Sequence, residues 1–185
     1  GGKTWNNMGL KNSQHIGRIV IDPTNSDVVY VAAYGPLWNA GGDRGIYKTI
    51  DGGKTWKNVL SISENTGCND IQINPRNPNI LYAAAHQRRR HEWTYISGGP
   101  ESNIYKSTDG GATWNKLTNG IPACDKGRIG LALSPSNPDI IYAIIEAQDG
   151  NGGVFRSTDL GVSCEKRNGL MTAGNYYGEI ICDTT

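Results

Sequence analysis

IDPTNSDVVYVAA at 21–33, INPRNPNILYAAA at 73–85 and LSPSNPDIIYAII at 133–145 are one segment written three times. Pro23, Pro75 and Pro135 stand 52 and 60 residues apart, and Tyr30, Tyr82 and Tyr142 keep that spacing. A second segment recurs in step with it: YKTIDGGKTW at 47–56, YKSTDGGATW at 105–114 and FRSTDLGVSC at 155–164. The opening GGKTW (1–5) reads as the tail of a further copy. The closing EIICDTT (179–185), set against RIVIDPT (18–24), reads as the start of another. Self-similarity at such a period is the mark of a repeat architecture, in which each unit buries its faces against its neighbours.

Within a unit the pattern is four short strands, at roughly 69–74, 80–86, 102–107 and 113–118 in the second copy. Asn and Pro between the first two make a tight hairpin turn. The run Ile80–Ala85 lacks polar alternation, as a strand covered on both faces should. No stretch has a 3.6-residue period, so no long helix is predicted. Four-stranded units in series predict an all-β fold, a segment of a β-propeller. The blades fall at about 16–60, 69–118 and 128–167, with 1–6 and 177–185 belonging to flanking blades. A parallel β-helix is the alternative, but its repeats are much shorter. Three blades and two flanking strands cannot close a ring of about 4–8 blades. Residues 1–185 therefore read as a single partial propeller. The remaining blades come from a larger protein, or copies associate.

Composition agrees and excludes other classes. Glycine accounts for 25 of 185 residues, as turn-rich chains require, and aromatic content rests on 5 Trp and 9 Tyr against 1 Phe. The formal charge of +1, from 18 basic and 17 acidic residues, argues against nucleic acid as a partner. No apolar run is long enough to span a bilayer as a helix, so membrane insertion is not expected. Cys68, Cys124, Cys164 and Cys182 form no C-x-x-C pair, and read as buried free thiols rather than a metal site or a disulfide framework. Asp149–Gly152 offers oxygens for only two calcium ligands. No metal and no cofactor is predicted.

The second repeat carries its own chemistry: Ser/Thr-x-Asp-x-Gly-x-Thr/Ser-Trp. It is filled by Thr49, Asp51, Gly53, Thr55 and Trp56, and again by Ser107, Asp109, Gly111, Thr113 and Trp114. A third copy keeps Ser157, Asp159 and Gly161 but has Leu160 for a glycine and Cys164 for the tryptophan. An Asp in such a turn accepts hydrogen bonds from the amides that follow it. The Gly supplies a left-handed backbone. The Trp opens the outer strand as an apolar cap. The degenerate third copy predicts a looser outer hairpin.

On these residues the chain resembles the Asp-box (BNR-type) propeller families, which include sialidases, xyloglucanase-type glycosidases and sortilin-type receptor propellers. It is most similar to bacterial sortilin-like and glycosyl-hydrolase-like propeller proteins. The resemblance implies that the Asp-box is a structural turn remote from the ligand face. It also implies a secreted or periplasmic location, and glycoside hydrolysis if the parent is an enzyme.

Propeller geometry puts the short Asn-Pro and Asp-box turns on one face and the long, varied connections on the other. Three second-face groups are candidates for ligand binding. The first is GPLWNAGGDRG (35–45), with Trp38. The second is the loop HQRRRHEWTYISGGPES (86–102), with Arg88, Arg89, Arg90, Trp93 and Tyr95. The third is an axial set on the inner strands: His15, Arg18, Asp70, Arg128, Tyr176, Tyr177 and Glu179. Guanidinium groups bind carboxylates, and flat aromatic faces stack on sugars, so an acidic protein or a glycan is the expected ligand. No catalytic residue is assigned. Arg18, Arg128, Tyr177, Glu179 and Asp70 supply the residue types of a sialidase, but the Arg-Ile-Pro start of one is absent. Asp70 and Glu179, as a glycosidase pair, lie two blades apart. The expectation is a rigid scaffold for protein or glycan binding within a larger sortilin-like protein. A part of a glycoside hydrolase, or a structural subunit, is the alternative.

Overall fold

The computed structural model describes residues 2–170 and 178–183. They form strands, turns and one short 3-10 turn at Gln148–Gly150. The first sheet is β1 (Ile16–Asp22), β2 (Asn25–Ala33), β3 (Gly45–Thr49) and β4 (Lys57–Leu60), hydrogen-bonded in that order. The second orders β5 (Thr66–Ile73), β6 (Leu81–Arg90), β8 (Asn103–Ser107) and β9 (Asn115–Lys116), with β7 (Tyr95–Ser97) pairing the far half of β6. The third is β10 (Lys126–Leu133), β11 (Ile141–Ala147), β12 (Gly153–Ser157) and β13 (Glu165–Asn168). Neighbouring strands are antiparallel throughout. Each sheet is one repeat: three meandering blades in a row, with the ring left open. No strand is assigned in 2–15 or 178–183.

The core lies between blades. One cluster joins Tyr30, Ala32 and Ile46 of the first blade to Cys68, Ile71, Leu81, Ala83 and Ala85 of the second. The other joins Tyr82, Ala84 and Ile104 to Ile129, Leu131, Ala143, Ile145 and Phe155. Strand β6 therefore feeds Leu81, Ala83 and Ala85 to one side and Tyr82 and Ala84 to the other, all fully buried. That explains its missing polar alternation: both faces meet protein. The inner strands approach too closely for side chains. A Cβ at Gly17 would sit 2.2 Å from the Asn69 carbonyl oxygen, and one at Gly130 2.2 Å from that of Gly178.

The hairpin turns use the residues the sequence offers. Asn74 Oδ1 accepts the amides of Arg76 (2.9 Å) and Asn77 (3.2 Å), and Ser134 Oγ accepts that of Asn137 (3.3 Å). The Asp-boxes close in the same manner. Asp51 accepts Thr55 N–H at 2.9 Å and Thr55 Oγ1 at 2.6 Å, and Asp109 holds Thr113 at the same two distances.

Three expectations are corrected. The third box is not loose: Asp159 accepts Ser163 N–H at 3.0 Å and Ser163 Oγ at 2.6 Å. Leu160 takes φ 58°, beside 69° and 68° at the equivalent Gly52 and Gly110, so the turn survives with a strained leucine. Its outer strand β13 is longer than β9. The segment 86–102 is not simply a loop, because β6 continues through Arg90 and folds back onto β7. Finally, only Cys68 among the four free cysteines is buried; Cys124, Cys164 and Cys182 are half-buried.

Candidate functional site

The second-face segments converge where β6 overruns its blade. Beyond the blade edge, Arg88 N–H donates to the Asn65 carbonyl (3.2 Å) and Arg90 N–H to the Leu37 carbonyl (2.8 Å). The strand thereby ties the first blade's 34–44 connection to the second blade. That connection is wound around Arg44, whose buried guanidinium donates to the carbonyls of Tyr34 (2.9 Å), Pro36, Asn39 (2.8 Å) and Gly41 (2.9 Å). Burial, with Arg88 and Arg89 nearby, lowers the Arg44 pKa. Its work is structural: it satisfies carbonyls that an irregular segment leaves over.

Strand alternation then sorts the three arginines. Arg88 lies over the Tyr34 ring, its Cζ 3.8 Å from the centroid. Arg90 sits 4.8 Å from the Tyr95 ring and 5.9 Å from that of Trp38. Arg89 turns to the opposite side, where Nη1 donates to Asn65 Oδ1 at 3.3 Å. No carboxylate pairs with Arg88, Arg89 or Arg90 among the described residues, and Arg88 Nη2 is buried without an acceptor. Aromatic faces offset part of what that desolvation costs. Next to them His91 stacks on Trp93 (5.6 Å, 19°), and both Trp38 and Trp93 are mainly exposed, at 55% and 81%. The arrangement presents flat rings and unpaired cations on one rigid hairpin.

Beneath it, Tyr34 Oη meets His86 Nδ1, and Ser97 Oγ meets His86 Nε2 at 3.4 Å. Burial beside Arg88 and Arg128 pushes the His86 pKa down to about 3, so the ring is neutral. Burial likewise pushes the Tyr34 hydroxyl up to about 12. The sequence reading took in His86 only as the first residue of the 86–102 segment and passed over Tyr34, since no motif marks either. The repeat register carried the signal: Tyr34 and His86 are 52 residues apart, the offset of the first two blades.

The axial residues behave otherwise. Arg18 Nε lies 2.6 Å from Asp70 Oδ1, while Asp70 Oδ2 accepts Leu131 N–H at 2.8 Å, so one carboxylate links three blades. Burial raises the Asp70 pKa, against the lowering effects of Leu131 N–H and Arg18. Arg128 Nη2 approaches Glu179 Oε1 at 3.8 Å. Asp70 and Glu179 thus occupy separate ion pairs and are not brought together. His15 Nδ1 meets the Gly35 carbonyl at 3.2 Å. Tyr176 and Tyr177 lie outside the described residues. A 520 Å³ cleft opens between Lys48, Ile50, Trp56 and the box residues Asp109–Ala112, where the outer strand of one blade meets the next blade's Asp-box turn. A 320 Å³ cleft borders the hairpin between Ile96–Gly99 and Lys126, Glu146 and Gln148. No group of His, Cys, Asp or Glu among the described residues could hold a metal, and no helix of the described residues is long and apolar enough to cross a membrane.

Repeated blades knitted by Asp-boxes, with variable connections gathered on the far side, define an Asp-box β-propeller. Within that class the chain belongs to the Sortilin-Vps10 family: the family described as "Sortilin, neurotensin receptor 3" matches residues 1–173. Among curated proteins it is similar to a xyloglucanase of Hypocrea jecorina, 27% identical over 186 residues covering 94% of this chain. It is also similar to a xyloglucanase of Acetivibrio thermocellus, 30% identical over 169 residues covering 85%. The chain spans about a fifth of the length of these relatives, 20% and 18%. Two solved structures share the fold. An ancestral GH74 enzyme has a TM-score of 0.61 at 20% identity, covering 83% of this chain and 18% of that one. The GH74 xyloglucanase of Xanthomonas campestris has 0.60 at 17%, covering 80% and 21%.

Proposed function

We propose that this stretch of propeller is a rigid scaffold for glycan binding within a larger sortilin-like protein, and that the β6–β7 hairpin with Trp38 is its ligand surface. One observation carries the reading: exposed Trp38 and Trp93 flank arginines that no carboxylate neutralises among the described residues. Flat, exposed indoles suit the apolar faces of sugar rings, and fixed guanidinium donors suit hydroxyl and carboxylate oxygens. Similarity to xyloglucanases makes a β-glucan such as xyloglucan the first ligand to try. The axial set has a positioning role, since Arg18, Asp70, Arg128 and Glu179 hold inner strands together. A secreted or periplasmic setting goes with such a polymer.

Affinity electrophoresis through xyloglucan tests the reading. The chain should be retarded, Trp93→Ala and Trp38→Ala should each relieve most of the retardation, and added salt should change little. An acidic protein ligand would reverse the pattern: strong salt dependence, with R88A/R89A/R90A as the damaging variant. No retardation, or retardation indifferent to all three variants, would sink the glycan reading. A second reading, part of a glycoside hydrolase, rests on the same similarity. It needs two free carboxylates about 5–9.5 Å apart, which Asp70 and Glu179 do not provide. Release of reducing sugar from xyloglucan by this chain alone would support it.

A further inference from the structure

The middle blade has a neighbour on each side, and its core joins that of the first blade and that of the third. Its β6–β7 hairpin is held from both directions. Arg90 N–H bonds to the Leu37 carbonyl of the first blade (2.8 Å), and Gly99 N–H to the Lys126 carbonyl of the third (3.0 Å). The three arginines of β6 differ in what their side chains can still do. Arg89 Nη1 is taken by Asn65 Oδ1, and its Nε is buried. Arg88 lies over Tyr34 with Nη2 buried. Arg90 is half-buried, and rings rather than oxygens flank it: Cζ stands 4.8 Å from the Tyr95 centroid and 5.9 Å from that of Trp38. Its side-chain N–H groups meet no acceptor among the described residues. A cation–π contact engages the charge and leaves the N–H fork free.

The positive charge around this fork is not balanced among the described residues. Glu92, in the turn of the hairpin, is exposed and forms no ion pair there. Glu101 is occupied by Ser63 Oγ (2.6 Å) and Thr66 Oγ1. Two buried groups register the field. Burial first, and then Arg88 and Arg89, lower the Arg44 pKa; burial first, and then Arg88 and Arg128, lower that of His86. The hydroxyls of a neutral sugar can accept from a guanidinium but carry no charge to balance it. A carboxylate does both, through two parallel N–H···O bonds. A sugar ring seated on Trp38 would stand beside Arg90, so its substituents come within reach of the free fork.

We propose that Arg90 is the specificity-determining residue of the hairpin and binds a carboxylate on the glycan, so that the surface prefers a uronate-bearing polymer to a neutral one. The inference rests on the hairpin being the glycan surface and adds the chemical class of one sugar substituent. Trp38 and Trp93, exposed at 55% and 81%, hold the polymer by its ring faces. Arg90, flanked by Trp38 and Tyr95, selects the acidic substituent that points to it. The same exposed indoles favour a sugar acid over the side chains of an acidic protein, which offer them no flat apolar face.

Affinity electrophoresis through two polymers tests it: xyloglucan, and the same xyloglucan with a fraction of its primary alcohols oxidised to carboxylates. The chain should bind the oxidised polymer about 3- to 10-fold more tightly. Reducing the carboxylates back to alcohols should abolish the gain, as should about 1 M salt, where the screening length is about 3 Å. Each variant is read as the ratio of its two affinities, so a general loss of binding cancels. Arg90→Gln should bring that ratio to unity. Arg90→Lys, which keeps the charge without the planar fork, should keep only part of the gain. Arg76→Ala removes one charge from the turn at the opposite end of β6 and should leave the gain intact. Circular dichroism melts check that each variant is folded, and Arg90→Lys carries the test if Arg90→Gln is not. Equal binding of the two polymers by the unmodified chain overturns the proposal and leaves the glycan reading standing. So does a gain that both Arg90 variants keep in full, or one that Arg90→Gln and Arg76→Ala reduce alike. Retardation by the oxidised polymer alone, indifferent to Trp93→Ala, is bare charge attraction of the kind an acidic protein exerts, and it overturns both. No retardation by either polymer overturns both as well.

Discussion

The Asp-box aspartates show how an exposed residue can be fixed entirely by local hydrogen bonds. Asp109 accepts from Ser107 Oγ (2.8 Å), Thr113 N–H and Thr113 Oγ1, and these donors hold its pKa down to about 2. Asp51 and Asp159 are held at about 2 by the same geometry. A carboxylate depressed in the fold adds stability above its unfolded pKa of about 3.9, and the gain disappears as pH falls through about 2. Asp109→Ala should therefore lower Tm at pH 7 and shrink the drop in Tm between pH 4 and pH 2; an unchanged acid limb would contradict the assignment. These roles were legible because the spacing alone dictates who can reach whom. The spacing misled at Leu160, where a missing glycine suggested a loose turn. A leucine at φ 58° holds the turn at a cost of about 1–2 kcal/mol. Leu160→Gly should return about 1 kcal/mol of it, after the entropy glycine adds to the unfolded chain, and urea denaturation will measure the gain.

At the level of elements, the strands of each blade were readable because their apolar content had to serve two interfaces. Ala84 illustrates the demand: fully buried on β6, it lies in the interface with the third blade. Ala84→Leu should cost about 1–3 kcal/mol by overpacking, with m unchanged in denaturant titration; a neutral result would mean the blades part easily. The extension of β6 through Arg90 was not readable. Three consecutive arginines look like a solvated loop, and nothing local announces that Asn65 and Leu37 supply the carbonyls that keep the backbone extended. Their aromatic partners come from other segments, Tyr34 and Trp38 before the first Asp-box and Tyr95 on β7. Arg88, Arg89, Arg90, Trp38, Trp93 and Tyr95 were thus candidates from the sequence, while Tyr34 and the pairing of arginines with rings were hidden. A contact between blades lies between these cases: Tyr30 and Lys48 donate to the Gly110 carbonyl, and Tyr82 and Lys106 to the Leu160 carbonyl, so the donors repeat visibly while their target is one carbonyl on another unit. Tyr82→Phe should cost about 0.5–1.5 kcal/mol in the same titration, and no cost would mean that Lys106 alone satisfies the Leu160 carbonyl.

Across the whole molecule, stability is a matter of neighbours, and one buried group at a blade boundary makes that testable by pH. His86 of the second blade meets Tyr34 of the first, and Arg88 and Arg128 bring positive charge from the second and third. Protonating its buried ring in place would put a cation beside arginines in a poorly solvated site. Its pKa is accordingly about 3, against 6.5 for a free imidazole. A histidine with a depressed pKa contributes stability above its unfolded pKa, and that contribution is lost as pH falls toward the folded value. Below pH 6.5 the unfolded chain takes up a proton the fold refuses, so stability falls by about 1.4 kcal/mol per pH unit. Between pH 6.5 and pH 5, above the range in which the Asp-box carboxylates titrate, the loss should reach about 1.6 kcal/mol. His86→Gln gives up a well-packed ring and starts less stable, but it has nothing to protonate. Its urea midpoint should stay nearly flat over that interval while the unmodified chain's declines. Parallel declines in the two proteins would mean that acid loosens the stack elsewhere and that the Tyr34–His86 boundary is not what yields first.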